Sequence, residues 1–590
     1  MPQPTPLYDT KITGGQVVDG TGRPPFRADV AIKDGTVVAV GDCPGEATQT
    51  LDAAGALVTP GFVDIHTHYD GQISWDEELA PSCLHGVTTV ALGSCGVGFA
   101  PVRPTDHDKL IALMEGVEDI PGTALSEGIT WGWESFPEYM ARIDAMPHTL
   151  DFLFHVPHDA LRVYVMGDRA VAGEPATEAD IAQMRRLVRE ALDAGAVGFS
   201  TGRSDNHRSA SGDFTPASEA EAAELAGIAA AFRGLDHGVI QAVNDFNILQ
   251  GNDHFEREWG VLQAMVEAAG GRPMSVSCMQ RDHSPQQWRW ILEKAEQAQE
   301  AGLDVRAQVA PRGIGVLLGL QATFHPFMGH PTYKAMHDLP LAERVAKMKD
   351  PAVKAQMLAE QREPVAGDGS PLPALADFFL ENIEMISMRL FRMAQVPDYE
   401  PGMMDSLAAE AMHREEHVMS VIYDALLEDE GQALIYFPVY NYSDMNLDNV
   451  GEMLRHPHSL PGLSDGGAHV GTICDASFPT FLLTHWGRDR DKDRLPIEVL
   501  IKKQTHDTAR FLGLEDRGTI AVGMKADLNI IDLEALQLHR PELVRDLPAG
   551  GRRLMQRAEG YRATLVSGEV VVQNGEVTAA RPGRWVRSGQ

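Results

Sequence analysis

PGFVDIHTHYDG, residues 60–71, sets an apolar run against two histidines spaced one residue apart. An apolar run that ends in polar residues predicts a buried strand emerging at the edge of a sheet. Side chains alternate along a strand, so His66 and His68 are expected to point to the same side. Two neutral imidazoles converging there can share a metal ion such as zinc. An isolated His-x-His is more often an ordinary polar strand end, so its meaning depends on what surrounds it.

On either side of this stretch the chain changes character. The first 56 residues read as short strands: YDTKITGGQVVDG, ADVAIKDGTVVAVG and TQTLDAAGALV carry β-branched residues between Gly and Asp turns. The last 70 or so are alike, with KADLNIIDL and GYRATLVSGEVVVQNGEV, where Asn574-Gly575 is a turn signal. Between them, apolar runs alternate with helical segments such as EADIAQMRRLVREALDAG, which predicts parallel strands with crossover helices. Eight runs are strand candidates: GALVTPGFVDI, GVTTVALG, LDFLFHV, AGAVGFS, GVIQAV, RPMSVSC, LDVRAQV and HSLPGLSD. Eight is the number a (β/α)₈ barrel needs. QALIYFP at 432–438 is a ninth candidate, and a Met-rich, charged stretch at about 325–430 reads as a helical insertion capping one barrel face.

The expected fold is therefore α/β, with a TIM-like (β/α)₈ barrel over 57–515. A composite β-sandwich domain is expected from 1–56 and 516–590. At 590 residues, 44% hydrophobic and 23% charged, the chain has the composition of a globular enzyme. Its 50 basic and 84 acidic residues give a net charge of -34, which argues against a nucleic-acid binder. Residues 1–20 lack a basic start followed by an apolar stretch, and no apolar run approaches membrane-span length. Five sparse cysteines without paired spacing predict a reduced, cytoplasmic setting. The expected partner is a small-molecule substrate, with neither nucleic acid nor membrane, and a homo-oligomer is left open.

Three stretches then coincide: PGFVDIHTHYDG after the first strands, SDGGAH at the end of the eighth candidate strand, and THDTARFLGLEDRGTIAVGMKADLNIIDL leading into the last ones. Together they resemble the amidohydrolase superfamily, in its N-acyl-D-amino-acid deacylase (D-aminoacylase-like) branch. The resemblance implies a metal-dependent barrel with a small β domain from both chain ends. It implies that His66 and His68 bind metal, that Asp465 touches metal and acts as general base, and that Cys95 in LGSCGVG is a further ligand. A divalent ion, zinc by this resemblance, would lower the pKa of a water and polarise an amide carbonyl. A carboxylate would take that proton and pass it to the departing amine.

The pattern is incomplete at strands five and six, where the branch carries metal-binding histidines. HGVIQAVNDF and RPMSVSCMQRDH place Gln241, Val243, Ser277 and Cys278 at those strand ends. One ion held by His66, His68, Asp465 and Cys95 is the favoured expectation; the alternatives are that His237, Cys278 or His283 reaches in, or that the site has drifted so far that chemistry or substrate has changed. Candidate substrate contacts are Arg203 and His207 in GFSTGRSDNHRSASGDFTP, Asn441 in VYNYSDMN, and His469, with Arg208 and Arg312 as further carboxylate-binding arginines. The expected reaction is hydrolysis of a non-peptide C–N bond in an N-acyl-D-amino acid. A cyclic amide, imide or lactone is the alternative substrate, and a non-catalytic barrel the alternative class.

Overall fold

The computed structural model describes residues 7–246, 250–366, 372 and 374–589. Residues 1–6 of the amino-terminal stretch, and 367–371 and 373 within the expected insertion, lie outside the described residues.

Eight parallel strands follow one another in chain order around one sheet: Phe62–Asp64, Val87–Leu92, Asp151–Pro157, Gly198–Arg203, Val239–Asn244, Met274–Cys278, Val305–Val309 and Ser459–Pro461. The eight candidates from the sequence fall on these strands. They lack a strict polar–apolar alternation because both faces are covered. Every residue of Val87–Leu92, Gly198–Arg203 and Met274–Cys278 is buried. The sheet curls until its ends meet, where Thr67 bridges to Gly466 and the His68 N–H donates to the Gly466 carbonyl at 2.8 Å. Crossover helices cover the outside. In Glu178–Ala194, Thr177 caps the N3 amide of Asp180, Asp180 reaches back to the Thr177 N–H, and Gly195 in the left-handed region ends the helix.

A second sheet takes strands from both ends of the chain. Leu57–Pro60 lies between Tyr8–Val17, which it pairs in parallel, and Leu528–Ile531, which it pairs antiparallel. Ile12, Val30, Val58, Leu528 and Leu565 are fully buried in its core. Asn574 and Gly575, both at positive φ, form the two-residue turn between Glu569–Gln573 and Glu576–Val577.

The stretch expected as a ninth barrel candidate is not in the barrel. Ile435–Pro438 pairs antiparallel with Gly315–Leu318 and with Phe391–Arg392. A short apolar run reads the same whichever sheet it joins, and here it serves the insertion. The insertion is thus not purely helical. These three strands and helices such as Leu341–Met348, Ala374–Glu381 and Val418–Leu427 enclose a hydrophobic core separate from that of the barrel. Among the described residues no helix is long and apolar enough to cross a membrane.

Candidate metal centre and cavity

His66 and His68 leave the first barrel strand just where its end meets the eighth-strand loop, and both are buried. Their rings lie 5.3 Å apart. Cys95 joins them from a tight turn after the second strand, in which Gly93, Cys95 and Gly96 all have positive φ. Asp465 arrives from the loop after the eighth strand, also at positive φ. His66 Nε2 stands 3.2 Å from Cys95 Sγ and 3.2 Å from Asp465 Oδ1, and His68 Nε2 is 3.7 Å from the same oxygen. Ligand atoms of His66, His68 and Cys95 all lie within 4.8 Å of one another. Four ligands around a zinc-sized ion, with bonds of about 2.0–2.3 Å, would stand roughly 3.3–3.8 Å apart. Spacing and donor types both fit one divalent ion, whose charge a thiolate and a carboxylate would balance.

The imidazoles are held from behind. His66 Nδ1 donates to Gln308 Oε1 at 2.8 Å, which leaves Nε2 unprotonated toward Cys95 and Asp465. Gln308 comes from the seventh strand and is itself fixed by donating to Ser275 Oγ at 2.6 Å. His68 Nδ1 lies 3.2 Å from Glu118 Oε1, and Glu118 is buried at the C-terminal end of helix His107–Glu118. A ligating histidine whose other nitrogen meets a carboxylate or amide oxygen is oriented and made more basic. Neither Gln308 nor Glu118 was expected from the sequence. Gln308 stands out only as a polar residue within a strand, and Glu118 ends an ordinary amphipathic helix.

Electrostatics follow from burial and these neighbours. Burial pushes His66 down to about 4, so it is neutral at physiological pH, and pushes the Cys95 thiol up to about 12. Burial also opposes charge on His68, but Glu118 and Cys95 outweigh it and hold the imidazole well above its ordinary value. For Asp465, burial is outweighed by the His68 hydrogen bond and the two imidazoles, which hold the carboxyl well below the usual range. These are the values of the groups without an ion; a bound cation would drive the thiol to thiolate.

Strands five and six bring no histidine. Gln241 accepts the Cys95 N–H through Oε1 at 2.9 Å, and its Nε2 is buried without a partner. It therefore braces the cysteine turn. The alternative ligands do not reach the centre. Cys278 Sγ points to Trp288 and Met453 on outer helices. His237 precedes the fifth strand, at its opposite end, beside Asp236. His283 is exposed beyond the sixth strand.

A cavity of about 260 Å³ opens over His66, Cys95 and Asp465. Two of the four candidate substrate contacts, His207 and His469, line it; His469 Nε2 is 3.7 Å from Glu118 Oε2. The other two do not line it. Arg203 is buried in an ion pair with Glu258, with contacts of 2.7 and 3.0 Å, and also donates to the Ala220 carbonyl. Asn441 is buried between Gln280 and the Arg312 carbonyl, which use both ends of its amide. Arg208 lies over Phe214, and Arg312 pairs with buried Asp475 at 2.9 Å. The arginine that does line the cavity is Arg281, after the sixth strand. It donates to Gln287 Oε1 at 2.6 Å and to the Asn244 carbonyl at 3.0 Å. Two residues lie between it and the strand-end cysteine, a position the sequence did not single out.

A profile described as the amidohydrolase family matches residues 49–572. A D-aminoacylase of Alcaligenes xylosoxydans xylosoxydans is 26% identical over 98% of this chain and 97% of its own length. An N-acyl-D-aspartate deacylase of the same organism is also 26% identical, over 98% and 95%. Among solved structures, the N-acyl-D-glutamate deacylase of Bordetella bronchiseptica, complexed with zinc and a phosphonate inhibitor, superposes with a TM-score of 0.64. That match is at 23% identity and covers 98% of this chain and 99% of the other.

Proposed function

The chain belongs to the amidohydrolase family, and on that footing we propose that it hydrolyses the amide of an N-acyl-D-amino acid. The observation that carries this reading is the convergence of His66, His68, Cys95 and Asp465 at the floor of a cavity that also holds Arg281. Similarity to D-aminoacylase and N-acyl-D-aspartate deacylase over nearly the whole chain supports the substrate class.

One divalent ion, zinc by the same reasoning, would be held by His66, His68, Asp465 and Cys95. Bound there, it supplies a Lewis acid that polarises the amide carbonyl and acidifies a water. Asp465 is the general base. It takes the proton from the attacking water and returns it to the amine as the C–N bond breaks. Arg281 is the arginine of this set placed at the cavity to meet the substrate carboxylate, where Arg203 and Arg312 are spent on buried Glu258 and Asp475 and Arg208 does not line the cavity. Fixing the carboxylate at one point and the amide at another favours one hand of the amino acid. The same proposal takes 1–56 and 516–590 as one β domain beside a 57–515 barrel, supported by the sheet they share, in which Leu57–Pro60 is the joining strand.

The test compares N-acetyl-D and N-acetyl-L amino acids with matched cyclic amides on metal-loaded protein. Turnover of the D series is expected. Turnover confined to cyclic amides would reject the linear-amide reading, and equal rates on both hands would reject the stereochemical part.

A further inference from the structure

We propose that the cavity is built for an aliphatic acyl chain longer than acetyl, seated against the insertion; this rests on the deacylase reading above. The two sides of the cavity differ in chemistry. Loops after the fourth to sixth strands supply a polar side, with Asn206, His207, Asp245 and Arg281. Much of the remaining lining is hydrocarbon, interrupted by Asp119, Thr323 and Thr472, and comes from two packed clusters. Val316, Phe324, Phe379 and Phe437 belong to the core of the insertion. Met279, Ile314, Leu463 and Ile473 pack together where the sixth to eighth strands open. Within the insertion, Val316 and Phe437 are directly paired across two strands, and Phe379 meets Phe437 edge to face at 5.4 Å.

An N-acyl amino acid has a charged half and an apolar half joined at the amide. With the carboxylate at Arg281 and the carbonyl carbon over His66 and Asp465, the amino-acid half occupies the polar side. The acyl carbons then continue away from the nitrogen, toward the hydrocarbon wall. An acetyl group would leave most of that wall facing water. The cavity holds about 260 Å³, against roughly 10–15 Å³ that a single water needs. In the reaction, the oxygen of water joins the acyl carbon as the C–N bond breaks. Its proton passes through Asp465 to the amine, so the products are a fatty carboxylate and the free amino acid.

The experiment is a series of N-acyl-D-amino acids with one amino acid and acetyl, butyryl, hexanoyl and octanoyl chains, assayed on the metal-loaded enzyme. kcat/KM is expected to rise about three- to fourfold per added methylene, the worth of burying one CH₂. Phe379→Asn should lower the ratio of octanoyl to acetyl kcat/KM, a ratio that does not depend on how much of the variant is folded. A series that is flat or falls with chain length overturns the proposal while leaving the deacylase reading in place. If no amide is hydrolysed at any length, that reading fails instead. Calorimetry with free butyrate, hexanoate and octanoate then decides the acyl site: affinity growing with length supports it, and none overturns it.

Discussion

Asp465 is asked to do two things from one carboxylate: complete the metal site and move a proton. Asp465→Asn keeps the size and one ligand oxygen while removing the base. Turnover should fall about 10²–10⁴-fold, the usual worth of a positioned acid–base group, with KM changing much less. Near-normal kcat in the variant would remove Asp465 from the role. Glu118 acts through its neighbour. At 3.2 Å from His68 Nδ1 it supplies the negative charge that fixes the ring. Glu118→Gln should therefore weaken metal affinity about 10–100-fold, read by competition with a chromophoric chelator. Unchanged affinity would make Glu118 a merely buried acid. His66, His68, Cys95 and Asp465 were legible because they sit in stretches that match the amidohydrolase pattern; taken alone, each reads as an ordinary strand end or turn. Glu118, Gln308 and Arg281 were not, because their meaning lies in partners far along the chain: 242 residues separate Gln308 from His66. Two of the three arginines that were read, Arg203 and Arg312, are spent on buried carboxylates that a loop sequence does not reveal.

The turn that delivers Cys95 is the element most sensitive to a small change. Gly93 has φ 77°, and a Cβ there would sit 2.4 Å from the His155 carbonyl oxygen. Its N–H donates to Asp70 Oδ2 at 3.1 Å, and its carbonyl accepts from Ser200. Gly93→Ala must either move the third strand or reshape the turn. It should lower stability by about 1–3 kcal/mol and weaken metal binding together, as chemical denaturation and metal titration would read. Full metal affinity in this variant would mean that the turn does not set the position of Cys95. The barrel strands were easier to find than this turn, because a strand covered on both faces is a short, largely apolar run. Ile435–Pro438 shows the limit of that signal. Its four residues are all buried, like a barrel strand, yet its partners run antiparallel in the insertion.

At the scale of the molecule, the barrel and the terminal strands are joined by buried polar contacts. Arg517 and Lys525 reach Asp151, at the start of the third barrel strand, at 2.5 and 2.8 Å. His85, just before the second strand, has one ring nitrogen 2.9 Å from Thr480 Oγ1 and the other 3.0 Å from the Gln556 carbonyl. Its Nε2 must be the donor to that carbonyl. Burial pushes its pKa down to about 4, from 6.5 in the open chain. Between those values the unfolded chain binds a proton that the folded chain does not. Stability is therefore lost as pH falls from about 6.5 toward 4. Asp64 and Asp475, pushed up to about 7 by burial, titrate in the same window with the opposite sign. Wild type alone cannot isolate His85, but a comparison can. His85→Gln keeps an amide donor and an acceptor but cannot take up the proton. Its urea midpoint should be lower than wild type at pH 7, where packing is imperfect, and the gap should narrow as pH falls toward 4.5. A gap that stays constant across that range would show that His85 is not neutral in the folded protein, and that the seam is held by something other than this histidine.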